Sequence, residues 1–328
     1  MAKPGIHPVR WQPPPAGPLP DFGPVELTVL PVGGDAPEDV VVDPDGNLWT
    51  GLADGRVLRI GPDGSTRTVA DTGGRPLGLA PAHGGKLLIC DSPRGLLRMD
   101  RNTGTLETLV ESIAGRRLQF CSNAVEMPDG TIYFTESSAG FTVANYQGAI
   151  LEARGDGALH RLDPDGTVTT LVTGLYFANG VTATADRSAL VFAETQARRL
   201  SKYWLTGPRA GTVTPLVENL PGMPDNLSTG TGGRIWCAMV SPINVSDLLA
   251  PRSPLLRKLV WRLPQRLRPP IKSTVWAVAF DPDSGTAIAG VQMTHPDFGV
   301  VTGMVEHDGR LWLSSLHYPA LAHCALPL

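Results

Sequence analysis

The sequence predicts an all-β chain, a six-bladed β-propeller of four-stranded antiparallel blades whose ring is closed by an N-terminal strand. Three observations carry this. A strand–turn–strand phrase returns six times along the chain. The 37 Gly and 31 Pro are scattered rather than clustered, as many short strands joined by many turns require. Helical periodicity is almost absent, which removes the α/β classes. A β-sandwich would accommodate the strands but gives no reason for six matched hairpins.

The copies run in order as EDVVVDPDGNLWTG from Glu38, LGLAPAHGGKLLIC from Leu77 and NAVEMPDGTIYFT from Asn123. They continue as NGVTATADRSALVFA from Asn179, DNLSTGTGGRIWCA from Asp225 and TGMVEHDGRLWLS from Thr302. Asp-Gly between alternating apolar runs is a strong hairpin signal, because the tight turn needs φ > 0. Third and fourth strands follow in phrases such as GRVLRIGPDGSTRTVA and GALHRLDPDGTVTTLV. Closure needs an edge strand from the far end of the chain, and VELTVLPV, residues 25–32, can complete the last blade and leave no open edge. This divides the chain into a Pro-rich arm over 1–24 and a propeller over 25–328, with an insertion at about 245–273 in the fifth blade.

Global properties exclude little but consistently. Net charge is −3, so nothing points to nucleic acid. The start of the chain has no apolar core of a signal peptide, and no run approaches the roughly 20 residues that span a bilayer. The expectation is a soluble cytoplasmic protein acting on a small molecule, of unspecified oligomeric state. Cys90, Cys121, Cys237 and Cys324 have no metal spacing, and Cys90 and Cys237 sit in apolar runs as small buried hydrophobes. Trp49, Trp236 and Trp312 recur at the second strand of their blades and read as blade core. Ser137, Ser138, His295 and His317 suggest nucleophilic catalysis only weakly, since the chain has no GxSxG elbow.

The repeat register yields the candidate site. Glu38, Leu77, Asn123, Asn179, Asp225 and Thr302 each open the first strand of a copy. First strands line the channel of a propeller, so these six should ring one mouth of it. Four carry carboxylate or amide oxygens, and Asn226 adds another. Strand starts disfavour Asn and Asp, and oxygens converging near an axis are costly unless compensated. A hard cation compensates them, and Ca²⁺ takes carboxylates and amide carbonyls in flexible geometry, although another divalent cation would also serve. The absence of His and Cys from the ring argues against zinc.

These residues and their neighbours resemble a known family. NAVEMPDGTIYFTESS, LYFANGVTATAD, AETQARRLSKYWLTGPRAGT and NLPGMPDN are similar to the strictosidine synthase-like proteins, within the superfamily that holds the gluconolactonases (the SMP-30 group) and the paraoxonases. The resemblance implies a calcium-dependent six-bladed propeller, with Glu38, Asn123, Asn179, Asp225 and Asn226 at the positions of the metal ligands in hydrolytic members. It also implies Asp225 as the candidate general base. Two positions depart from it. Thr302 stands where strictosidine synthases carry a catalytic Glu, and Leu77 where paraoxonases carry a channel His. Leu77 and Thr302 are therefore expected as pocket lining.

The expected activity is metal-dependent hydrolysis of a lactone or an activated aryl ester, with the metal polarising the carbonyl and water as nucleophile. The alternatives are a carbon–carbon bond-forming relative without the usual Glu, and a non-enzymatic small-molecule-binding propeller. The insertion, residues 246–273, carries Leu255, Leu256, Leu259, Val260, Leu263 and Leu267 at three- and four-residue steps beside seven basic residues. It reads as short amphipathic helix interrupted by Pro251, Pro254, Pro264 and Pro269. Three roles suit it: a lid over the channel mouth, packing on the blade rim, or contact with a membrane surface. The lid is favoured, and it requires Leu or Trp261 side chains to reach the pocket.

Overall fold

A computed structural model describes residues 3–243, 245–249, 251–264, 267–268 and 271–327. Each hairpin phrase folds as its turn chemistry dictates. In the first, Asp43 Oδ1 accepts from the backbone N–H groups of Asp45 and Asn47 at 3.0 Å, while Gly46 takes φ 79°. The Trp49 indole then donates to Asp43 Oδ2 at 2.9 Å, tying the turn to the buried face of the next strand.

Six four-stranded antiparallel sheets result, the first five running from the channel outwards in chain order. The first strands of blades two to six are Pro76–Ala82, Cys121–Glu126, Ala178–Ala183, Gly222–Thr229 and Val301–His307. In blade one the inner strand is short, Val41–Val42. The ring closes between chain ends: Thr28–Pro31 pairs antiparallel with Ala320–Ala325 and becomes the outer strand of blade six. Apolar layers fill the spaces between neighbouring blades, for example Val191, Leu200, Cys237, Met239 and Trp276 between blades four and five. All four cysteines are buried and free. Trp49 and Trp236 are buried, whereas Trp312 is half-buried against His323.

Two excursions leave the ring, both between the second and third strands of a blade. One is the insertion of blade five. It forms helix α2 (Val245–Leu249) and helix α3 (Pro254–Arg262), with Pro254 in the first turn and Ser253 Oγ accepting from the Leu255 and Leu256 N–H groups. Arg266 and Pro269 lie outside the described residues. The other excursion, in blade three, was not anticipated from the sequence and contains the seven-residue helix α1, Tyr146–Glu152. It packs against α3, so the two excursions form one canopy. The arm, Lys3–Pro24, has no regular structure and threads along it. Val9 N donates to Glu152 O at 3.0 Å, the Trp261 indole donates to Pro4 O at 2.8 Å, and Ile6 is buried in the canopy's apolar cluster.

Helix α3 is turned against expectation. Its buried face is made by Arg257 and Trp261, while Leu255 and Leu259 are exposed. Arg257 donates to Leu151 O at 2.9 Å and to Val9 O, capping carbonyls at the end of the Tyr146–Glu152 helix and in the arm. Those carbonyls decide the orientation, because unpaired buried carbonyls cost more than exposed leucines.

Candidate metal centre and cavity

Five of the six register positions are brought to one mouth by a common backbone device. In every blade from two to six, the pairing between first and second strands is interrupted at these residues: between Pro76 and Leu79, Cys121 and Ala124, Ala178 and Val181, Pro224 and Leu227, and Val301 and Met304. Leu77, Asn123, Asn179, Asp225, Asn226 and Thr302 all fall inside these irregularities. A bulge bends the strand and re-aims its side chains. Adjacent residues can then both face the channel, which an ordinary strand forbids.

Glycine makes the convergence possible. The residue after the register position is Gly78, Gly180 or Gly303 in blades two, four and six. A methyl group on Gly78 would lie 2.4 Å from Ser122 O in blade three, and one on Gly180 would lie 2.4 Å from Leu227 N in blade five. On Gly303 it would lie 2.3 Å from Asp39 Oδ1 in blade one.

Within this tight ring the polar side chains are buried and linked. Asn226 Nδ2 donates to Glu38 Oε2 at 3.3 Å, and Asn123 Nδ2 donates to Asn226 Oδ1 at 3.2 Å. Asn179 Nδ2 donates to Asp225 Oδ1, and Asn179 Oδ1 accepts from Ser122 Oγ at 2.8 Å. Thr302 Oγ1 donates to the Glu38 carbonyl at 2.6 Å, fixing the backbone that presents the carboxylate. Sequence reasoning missed Asp39. It is buried beside Glu38, accepts from Leu79 N at 2.9 Å, and lies one position out of register. It also missed Ser122 and Thr195, whose hydroxyls contact Asn179.

The electrostatics follow from burying acids together. Burial pushes Glu38 up to about 7, opposed by the nearby Arg75 guanidinium and the Asn226 hydrogen bond. Burial and then the charge of Glu38 push Asp39 up to about 8. Asp225 is raised well above the carboxylate range, first by burial and then by Glu38. Arg75 donates only to carbonyls, of Ala36, Gly51 and Pro76.

Above the ring is a cavity of about 160 Å³. Glu38, Asn179, Asp225, Leu77 and Thr302 form its floor, with Asn123 and Asn226 beneath. Its walls are apolar, including Phe120, Phe177 and Met223, and the canopy adds Tyr146, Ile150, Val245, Leu249 and Val260. No His or Cys lines it among the described residues. The insertion therefore stands on the same mouth as Asp225 and reaches the cavity through Val245, Leu249, Val260, Arg268 and Ile271. Trp261 does not. It is held in the canopy between Lys3 and Arg268, because its indole serves the arm. Ser137 and Ser138 donate to Ala178 O and Asp156 and stand away from the cavity, as do His295 and His317.

The donor set suits a hard divalent cation. Two buried carboxylates, Glu38 and Asp225, stand beside amides that each carry an oxygen, with no His or Cys among them, and burial is the first cause that disfavours their ionisation.

Fold and site together define a six-bladed propeller with an oxygen-rich channel floor. The strictosidine synthase family profile matches residues 123–208, and the profile of the strictosidine synthase-like N-terminal region matches residues 24–60. Protein strictosidine synthase-like 6 of Arabidopsis thaliana is 33% identical over 303 residues, covering 87% of this chain and 81% of its own. The adipocyte plasma membrane-associated protein of Salmo salar is 32% identical over 325 residues, covering 89% and 77%. The chain belongs to the strictosidine synthase-like family. Among solved structures, a gluconolactonase of Xanthomonas campestris superposes with a TM-score of 0.68 over 100% of this chain and 99% of its own, at 19% identity. Regucalcin of Agrobacterium tumefaciens, a calcium-binding protein, gives 0.66 over 94% and 96%, at 18% identity. At such identities the likeness concerns the fold alone.

Proposed function

We propose that this protein is a calcium-dependent hydrolase of lactones or activated esters carrying an apolar substituent. One observation carries the reading: the buried Glu38–Asp225 carboxylate pair lies in the floor of a cavity whose walls are mainly apolar. Glu38 and Asp225, with the side-chain oxygens of Asn123 and Asn179, would hold the cation, and Asn226 would orient Glu38. Bound there, a divalent ion supplies Lewis-acid polarisation of the carbonyl and compensates the developing oxyanion.

The chain's own residues do the rest. The apolar walls hold the substituent and exclude bulk water. Asp225 takes a proton from the attacking water. After water adds, the C–O bond to the leaving oxygen breaks, Asp225 returns its proton to that oxygen, and the product leaves as a hydroxy acid from a lactone or as acid and alcohol from an ester. A base at Asp225 must be ionised, so the raised state described above is the one a cation would lower. Tyr146 is half-buried in the cavity wall, and desolvation first, then the charge of Asp225, keep its phenol protonated, a donor for a substrate oxygen. The names of the gluconolactonase and regucalcin support the reading by analogy of fold. Thr302 speaks against the condensation chemistry of the family's name, since the only acids lining the cavity among the described residues are Glu38 and Asp225.

The test is turnover of a panel of aliphatic lactones and aryl esters by the purified chain, before and after chelation and with calcium restored. Hydrolysis that disappears with chelator and returns with calcium supports the reading. No hydrolysis across the panel, or hydrolysis indifferent to chelator, removes it.

A further inference from the structure

The canopy presents an outer surface that the cavity does not explain. On α3, Leu255 is 76% exposed and Leu259 59% exposed, one turn apart on a single face that continues to the exposed Arg262. Leu248 of α2 and Leu267 are 58% and 61% exposed, and Ile243 and Val245 add to the same segment. These six apolar residues, with Leu256, account for all but two of the large apolar side chains found exposed among the described residues. Solvent-facing leucines on one side and a buried arginine on the other invert the usual arrangement of a surface helix.

Charge is segregated in the same place. Residues 246–273 hold seven basic side chains and one acid, a net +6 within a chain of −3, so the remainder carries −9. The one acid, Asp247, is buried, whereas Arg252, Arg262 and Lys272 are exposed, and the exposed Lys3 of the arm lies over the Trp261 ring. Exposed leucines ringed by lysine and arginine are what a helix lying in a bilayer interface requires. The apolar side chains enter the acyl boundary, and the basic groups meet anionic headgroups. A nucleic acid would use the charges and leave the leucines in water.

We infer that the canopy docks on the surface of an anionic phospholipid bilayer, with Leu255, Leu259 and Leu248 inserted and Arg252, Arg262 and Lys272 on the headgroups. Val245 lies on this surface and also lines the cavity. Docking therefore sets the cavity mouth against the lipid, and an apolar ligand passes from bilayer to channel without crossing water. The rest of the chain, at net −9, is repelled by the same headgroups, which fixes the orientation.

Co-sedimentation with vesicles tests this without reference to catalysis. The full chain should partition onto vesicles of equal parts phosphatidylcholine and phosphatidylglycerol, at least about tenfold more than onto phosphatidylcholine alone, and less at high salt. The double variant L255E/L259E should lose that binding by about tenfold or more. Arg262→Glu should lose at least about fivefold. Both should keep the wild-type circular dichroism and melting temperature, because these side chains are largely exposed. Equal partitioning onto both vesicle types, or unchanged binding by L255E/L259E, overturns the inference. So does light scattering that finds a wild-type dimer dissociated by L255E/L259E, which would make the face a contact between copies.

Discussion

The channel floor and the canopy above it solve opposite problems. The floor gathers polar side chains from several blades into a dry place and holds them with backbone geometry repeated around the ring: bulged inner strands, and glycines where neighbouring strands nearly touch. The canopy has no repeat. Two unrelated excursions and an irregular arm are pinned to one another by a few long side chains, above all Arg257 and Trp261. The floor's precision belongs to the fold, and the canopy's shape belongs to this chain. Chemistry should accordingly follow the floor and selectivity the canopy.

The sharpest way to break that division is at Asp225. Asp225→Asn should reduce hydrolysis by roughly a hundredfold to ten-thousandfold, the range for a lost acid–base group, read as kcat/KM on the best substrate of the panel. The calcium-free variant should melt no lower than the calcium-free wild type, because the change replaces a buried acid whose ionisation burial and Glu38 oppose by a neutral group of the same shape. A lower melting temperature in the absence of metal would show that Asp225 is structural.

Next in size is the pH dependence of the metal-free protein. Glu38 and Asp39 ionise in the folded chain only near pH 7 and 8, against about 4 when unfolded. Between those limits the folded state holds more protons than the unfolded one, so stability falls as pH rises. The calcium-free chain should therefore melt higher at pH 5.5 than at pH 8, by a difference worth on the order of 3 kcal/mol. Calcium should raise the melting temperature most at pH 8. A calcium-free chain equally stable across this window would mean the acids are already compensated.

Gly180→Ala tests the floor's geometry. The added methyl group would meet the backbone of Asn226 and Leu227 in blade five within 2.6 Å, so the two inner strands must part, at a cost of about 1–3 kcal/mol. Calcium affinity should weaken with it, measured by titration calorimetry. The canopy counterpart is smaller. Arg257→Met leaves the Leu151 and Val9 carbonyls without their donor, about 1–3 kcal/mol confined to the canopy. Hydrogen exchange should quicken over 245–262 while the blade strands keep their protection, and KM should change more than kcat. If exchange quickens around the whole ring, floor and canopy are one cooperative unit.

The same contrast governs what could be read from sequence. Hairpin turns are local, so Asp43 to Gly46 and its counterparts announced the blades, and counting back from them reached Leu77, Asn123, Asn179, Asp225 and Thr302. Asp39 was hidden by an otherwise sound rule. Alternate residues of a strand face opposite ways, and only the irregular entry into blade one allows Glu38 and Asp39 to be buried together. The leucine spacing of the insertion correctly signalled a helix but not its buried face. That face was set by partners some hundred residues and more away, the end of the Tyr146–Glu152 helix and the arm, which no local periodicity records.

The glycines at the floor carry one more consequence. They occupy blades two, four and six, and each presses on a bulkier residue of the following blade: Asn123 and Ser122 in three, Asn226 in five, Asp39 in one. At its axis the six-fold ring is thus a pseudo-threefold assembly of blade pairs, a donor of space beside a taker of it. Blades of this protein are interchangeable by sheet architecture but not by parity. A chimera that exchanges blades two by two in step with this alternation keeps the channel, while one shifted by a single blade sets side chain against side chain where there is room for only one.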